Sequence, residues 1–145
     1  MEIYTIGFTK KTAEQFFTLL KNAKIERLID VRLNNVSQLA GFAKKDDLRF
    51  LLQQICNCEY QHEPLLAPTQ EMLDQYKKAK GSWNEYGQQF LSLMAERRIE
   101  EKIDPCIFGV PTVLLCSETT AEHCHRRLIL DYLSAQWGNI TSHHL

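Results

Sequence analysis

Near its C-terminal end the chain reads Cys116-Ser117-Glu118 and, after a short interval, Cys124-His125-Arg126-Arg127. Thiol, carboxyl, imidazole and guanidinium groups thus fall in one stretch. Cys116 offers a nucleophile if a helix N-terminus, Arg126 or a protonated His125 lowers its pKa. Glu118 offers a general acid or base if partly buried, and His125 a group that orients a substrate or relays a proton. Upstream, Asp30-Val31-Arg32 alternates, so acid and arginine fall on one face of an extended segment. Asp30 is a second candidate acid or base. The pair is either a structural salt bridge or a holder that presents Arg32 bidentately to a phosphate or carboxylate, with Arg126 as a second anion-binding arginine. Gly7-Phe8-Thr9-Lys10 adds backbone N–H groups at Gly7 and Thr9, and Ser37 adds a hydroxyl in the loop beyond Arg32.

Each residue also has a structural reading. Cys116 fits a small buried hydrophobe, Glu118 a charge favoured near a helix start, His125 a satisfied core histidine and Gly7 a tight turn. Cys116, Cys124 and His125 are metal-ligand types, but their spacing is not that of a zinc finger or ribbon. On one helix Cys124 and His125 would also project about 100° apart. Cys56-x-Cys58 with His62 is as weak a signal. The glycine-rich phosphate loop, the dinucleotide fingerprint and the H-E-x-x-H helix are all missing from the sequence, so neither a metal nor a cofactor is expected.

Elements must bring these groups together. Ile3-Tyr4-Thr5-Ile6 reads as a strand ending at Gly7, and Thr12 with Gln15 forms a capping box for a helix whose apolar face is Ala13, Phe16, Phe17 and Leu20. Arg27–Val31 reads as a second strand, which makes a βαβ unit with parallel strands and a right-handed crossover. Leu33–Phe42 is a loop. Leu48, Leu51, Leu52 and Ile55 mark a helix entered at Asp46 or Asp47, and Cys58–His62 alternates as a strand or turn. Thr69 caps a helix through Tyr76. Ser82 with Glu85 caps another, whose stripe of Trp83, Tyr86, Phe90, Leu91 and Met94 reads as core rather than as an aromatic stacking platform. Pro111–Cys116 is continuously apolar, as in a central parallel strand. Thr119 with Glu122 forms a capping box for a buried helix through Leu128, Ile129, Tyr132 and Leu133 towards Trp137, with His125 in its second turn.

The sum is a three-layer, Rossmann-like α/β domain with a mostly parallel central sheet. One domain spans 1–145, with only the tail Thr141–Leu145 outside the pattern. In open parallel sheets ligands sit beyond the carboxyl ends of the strands, where all these candidate groups lie.

The chain has 145 residues, with 17 Lys+Arg against 18 Asp+Glu and a net charge of −1. That balance argues against coating nucleic acid or an acidic membrane by bulk electrostatics and leaves a local basic site open. There is no basic segment followed by a long apolar run at the N-terminus and no stretch long enough to cross a bilayer. Five cysteines, an odd number, fit reduced thiols in a cytoplasm.

These motifs resemble the bacterial and archaeal family known as domain of unknown function 488. Tyr4-Thr5-Ile6-Gly7-Phe8-Thr9, Leu28-Ile29-Asp30-Val31-Arg32, Phe42-Ala43-Lys44 with Leu48, and Leu114-Leu115-Cys116-Ser117-Glu118 with Cys124-His125-Arg126 carry the likeness. Leu65-Leu66-Ala67-Pro68-Thr69 with Tyr76-Lys77-Lys78 looks like one branch of it. The family typically has His where Phe8 stands, and a Pro then Ser-Arg after Asp-Val-Arg, where this chain reads Leu33-Asn34-Asn35-Val36-Ser37-Gln38. The resemblance supports the fold and the strand-end site and implies no particular reaction.

Three functions fit. The first is an enzyme acting on a small anionic substrate (a nucleotide, another phosphate-bearing molecule or a nucleic-acid end), with Arg32 and Arg126 binding the anion and Glu118 or Asp30 as acid or base. The second is sulfur or phosphoryl transfer through Cys116. The third is a non-enzymatic ligand-binding or partner module.

Overall fold

The computed structural model describes residues 1–77, 81–117 and 124–145, and of Gln38 and Leu39 the backbone alone. Five strands, β1 (Glu2–Gly7), β2 (Arg27–Asp30), β3 (Glu59–His62), β4 (Thr112–Cys116) and β5 (Thr141–His144), form a sheet in the order β3-β2-β4-β1-β5. Every neighbouring pair is parallel. The expected three-layer α/β fold is therefore present.

β4 reads Thr-Val-Leu-Leu-Cys and is buried at every residue, as a strand with neighbours on both edges and helices on both faces must be. Val113 and Leu115 join Ile6 and Leu28 in one core cluster with Phe16, Leu20 and Leu48. Leu114 and Cys116 join Ile29 and Val31 in another with Phe90, Met94, Ile129 and Leu133. The period-2 alternation of the strands thus feeds two separate cores.

The first core is covered by α1 (Ala13–Asn22) and α2 (Lys45–Leu51). The capping box of α1 is in place: Thr12 Oγ1 accepts from the Gln15 N–H at 3.1 Å and Gln15 Oε1 from the Thr12 N–H at 2.9 Å. The periodicity of α2 predicts a regular helix through Ile55. Instead the chain widens into a π-helical turn over Leu52–Cys56 and stops at Asn57, whose φ is 49°. Leu52 stays buried while Ile55 becomes 39 % exposed, because the wider turn rotates it off the apolar face.

The second core lies under α3 (Gln70–Lys77), α4 (Trp83–Arg97), α5 (Ile99–Lys102) and α6 (His125–Trp137). Thr69 Oγ1 accepts from the Met72 N–H at 3.2 Å, and Ser82 Oγ from the Glu85 N–H at 3.0 Å, so both expected caps hold. α6 begins later than expected. Cys124 is its extended N-cap residue, with φ −134° and ψ 141°, and His125 is its first residue rather than part of a second turn. The Thr119–Glu122 box, Glu118 and Lys78 lie outside the described residues.

The tail is also corrected. Thr141–His144 is an edge strand beside β1, with Glu2 opposite Thr141 and Thr5 opposite His144. Thr-Ser-His-His has no apolar alternation to announce a strand. Backbone pairing is supplemented by a 2.5 Å contact between Thr5 Oγ1 and His144 Nδ1 and by stacking of His143 on Tyr4 at 4.8 Å.

β1, β2 and β3 follow one another towards one edge by way of the first helical layer, and β3, β4 and β5 run back by way of the second. The connections after β2 and β4, which are neighbours, therefore leave in opposite directions. Such a reversal opens a crevice at the strands' carboxyl ends.

Candidate functional site

A pocket of about 170 Å³ opens at this crevice. Arg32, Leu33 and Asn34 line it from the end of β2, Cys116 and Ser117 from the end of β4, and Cys124 and His125 from the start of α6. The remaining wall comes from Pro68 and from α3 and α4.

Arg32 is fixed from several sides. Its Nε and Nη2 donate to the two Asp30 carboxylate oxygens, each at 2.8 Å, and Nη2 also donates to the Ala43 carbonyl at 2.7 Å. Its backbone N–H donates to Asp30 Oδ1 at 3.1 Å, and its carbonyl lies 2.9 Å from His62 Nε2. Asp30, fully buried, further accepts from Tyr60 Oη at 2.6 Å and from Asn35 Nδ2 at 3.4 Å. Burial alone would raise the Asp30 pKa. The Arg32 hydrogen bonds and charge, with the Tyr60 hydroxyl, more than reverse that and hold the carboxyl below the usual range. The same contact, added to burial, pushes the Tyr60 phenol up. The structural reading of the pair therefore holds: it is a buried salt bridge, and Arg32 is also one of the residues that line the pocket. Nη1 enters none of these bonds.

On the opposite face of the sheet, Cys116 Sγ lies 3.4 Å from His125 Nδ1, and His125 Nε2 lies 2.8 Å from the Val31 carbonyl oxygen. A carbonyl only accepts, so Nε2 carries the hydrogen and Nδ1 of the neutral ring is left as an acceptor towards the Cys116 thiol. Cys124 completes the group: one donor atom from each of Cys116, Cys124 and His125 lies within 4.8 Å of the others, and all three residues are buried. The Cys124 thiol pKa is pushed up by its contact with Cys116 and by burial, against a smaller opposing pull from His125.

Tyr76, Trp83 and Tyr86 supply the aromatic wall, with Pro68, Leu73 and Lys77 beside them. Trp83 stacks on Tyr86 at 5.4 Å with an interplanar angle of 22°, and Tyr76 lies 5.0 Å from Tyr86. The stripe is core as expected, with Tyr86, Phe90 and Met94 buried and Trp83 and Leu91 packed against the same cluster, and its first residues also reach the pocket. Phe90 and Met94 are fully buried, and Tyr86 and Trp83, one and two turns nearer the N-terminus of α4, line the pocket. Arg97 Nη1 bonds the carbonyls of Leu65 and Ala67, both at 2.7 Å, and so holds the Pro68 side of the wall on α4.

Of the sequence-derived candidates, Arg32, Cys116 and His125 line the pocket and Asp30 stands behind Arg32. Gly7 pairs with Cys116 in the sheet, and the Thr9 N–H donates to the Ser117 carbonyl at 3.0 Å, so the β1 loop braces the pocket floor without lining it. Ser37 is exposed and also outside the lining. Arg126 is 1 % exposed and outside the lining; its charge, after burial, lowers the pKa values of Lys11 and His144. Glu118 and the Gln38 side chain lie outside the description. Asn34, Asn35, Tyr60, Ser117 and the aromatic wall are additions. The Tyr76-Lys77 step was visible only as part of a resemblance.

Residues 12–133 match the family described as "Domain of unknown function DUF488". No curated protein and no solved structure matches the chain.

Proposed function

Because the chain belongs to the DUF488 family, whose description assigns no activity, we propose a function from this chain's own pocket: it binds a small anionic molecule with a planar ring and acts on it as an enzyme. Nucleotides and nucleic-acid ends are the class that fits. The observation that carries this reading is the shared lining of one crevice by Arg32 and by Tyr76, Trp83 and Tyr86. A guanidinium held by a carboxylate and a carbonyl loses little freedom on meeting an anion. Stacking of a base on an aromatic side chain contributes about 1–3 kcal/mol and tolerates different bases.

The chain has two tryptophans, so a Trp137→Phe background isolates Trp83 as a fluorescent reporter. Titration with nucleoside monophosphates should quench it saturably, and inorganic phosphate should compete weakly. By calorimetry Trp83→Leu should weaken the nucleotide at least tenfold. Absence of binding to the whole panel, or undiminished affinity in Trp83→Leu, would contradict the proposal.

A second reading, with Cys116 as nucleophile and His125 as base, is favoured by the Sγ–Nδ1 distance of 3.4 Å and the tautomer imposed by Val31. It requires Cys116 to react with iodoacetamide faster than an ordinary thiol. A rate at or below that of an ordinary thiol ends it.

A further inference from the structure

We infer that Cys116, Cys124 and His125 form a binding site for a soft divalent cation, zinc above all, with its open side towards the pocket. The first support is geometry. Around a tetrahedral zinc, with Zn–S about 2.3 Å and Zn–N about 2.0 Å, sulfur and nitrogen donors stand about 3.5 Å apart. Cys116 Sγ and His125 Nδ1 are 3.4 Å apart, and the Cys124 donor falls within the same 4.8 Å group.

The second support is the orientation of the imidazole. Metal-bound histidines typically donate their other ring N–H to a carbonyl or carboxylate, which fixes the tautomer. His125 does so to the Val31 carbonyl at 2.8 Å, leaving Nδ1 among the sulfurs. Third, the donors come from elements that fix them before any ion arrives. Cys116 ends a fully buried strand, and His125 opens a helix whose N-cap is Cys124. The expectation that Cys124 and His125 diverge assumed that both are helical. The extended backbone of Cys124 removes that assumption and lets its side chain return to the group.

Chemistry makes zinc the best match. Thiolate with imidazole is a soft donor set that suits zinc and excludes magnesium and calcium. Binding deprotonates both thiols, so a dication meets two negative charges and two protons leave to solvent, with no change of oxidation state. All three residues line the pocket, which gives the ion its path from solvent. Among the described residues the site has three protein donors, and a three-donor site keeps a fourth position open; the pocket that the same three residues line is where the anion of the proposed ligand would lie. The inference deepens the ligand reading on that point, yet it can be read with the metal alone.

It also competes with the nucleophile reading for the Cys116 sulfur. Cys124 separates the two, because a thiol–imidazole nucleophile needs only Cys116 and His125.

The test uses the full chain, stripped with a chelator under reducing conditions and titrated with cobalt(II). Wild type should take up one equivalent, with the visible bands of tetrahedral cobalt and a near-ultraviolet thiolate charge-transfer band, and zinc should bleach both. Cys124→Ser and His125→Gln should each lose at least tenfold in affinity, while Cys106→Ser, at an exposed thiol, should change nothing. Wild type without tetrahedral cobalt bands, or Cys124→Ser binding as tightly as wild type, overturns the inference. If the variants fail to fold by circular dichroism, labelling of the wild type decides. Zinc should slow alkylation of Cys116 and Cys124 at least tenfold without protecting Cys106, and equal labelling with and without zinc overturns the site. Nucleotide affinity measured on the metal-free protein remains an independent test of the ligand pocket.

Discussion

At the scale of single residues, Asp30 carries the most consequence. Its carboxylate is fully buried and accepts bonds from the Arg32 side chain and backbone and from Tyr60. Removing one partner of such a pair leaves the other charge uncompensated, at about 3–5 kcal/mol. Asp30→Asn should therefore destabilise the protein by that order in urea unfolding at neutral pH. Arg32→Ala strands the carboxylate in the same way, so that variant cannot report ligand binding cleanly. The pH dependence has a definite sign. The folded-state pKa of Asp30 is lowered, so its contribution is complete above the ordinary aspartate value of about 3.9 and is lost as pH falls through the lower folded value. The gap between wild type and Asp30→Asn should narrow below about pH 4. A gap that stays constant down to the acid limit would mean that the carboxylate charge is not its source. Tyr60→Phe, which removes one donor, should move the acid limb to higher pH. The sequence displayed the Asp30–Arg32 alternation but hid Tyr60, Asn35 and the Ala43 carbonyl, because their meeting depends on sheet register and on a loop without period.

At the scale of elements, side chains that act on nearby backbone were legible and those that need a distant partner were not. Thr12, Thr69 and Ser82 satisfy N–H groups within three residues of themselves, so their sequence spacing suffices to reveal them. β5 has no such local signature and is defined by β1. Its His144 is exposed at the strand's end, yet the desolvation its ring does meet there, with the charges of Arg126 and Arg127, lowers its pKa against a smaller opposing effect of Asp131. The neutral ring is thus the form the docked strand favours. The stabilisation from His144 is intact above the ordinary histidine value of about 6.5 and declines as pH falls below it. By NMR the His144 ring should titrate with a midpoint below 6.5, and the Leu145 N–H, which donates to the Thr5 carbonyl at 2.8 Å, should lose exchange protection over the same range. A His144 midpoint at or above 6.5 would contradict this. In His144→Gln the loss of protection should no longer follow that titration.

At the scale of the whole molecule, the pocket is a property of connectivity. The sequence announced parallel strands and their carboxyl ends but not the order β3-β2-β4-β1-β5, and it is that order which makes β2 and β4 neighbours with diverging exits. The same order brings α3 and α4 over the crevice, where residues of a core stripe also serve as pocket wall. Across the crevice the His125–Val31 bond joins α6 to the segment after β2, and Cys116 joins the same group from β4. An ion bound to Cys116, Cys124 and His125 would therefore tie two central strands to the helix that packs over them, and should stabilise the fold as a whole. At a free zinc concentration a hundredfold above the dissociation constant, linkage gives about 2.7 kcal/mol. For a chain of this size that is roughly a 5–10 °C rise in Tm. Scanning calorimetry of the chelator-stripped protein with and without zinc should show that rise in wild type and Thr12→Ala, whose cap lies away from the site, and lose it in Cys124→Ser. A rise that survives in Cys124→Ser would place the stabilising zinc elsewhere on the molecule.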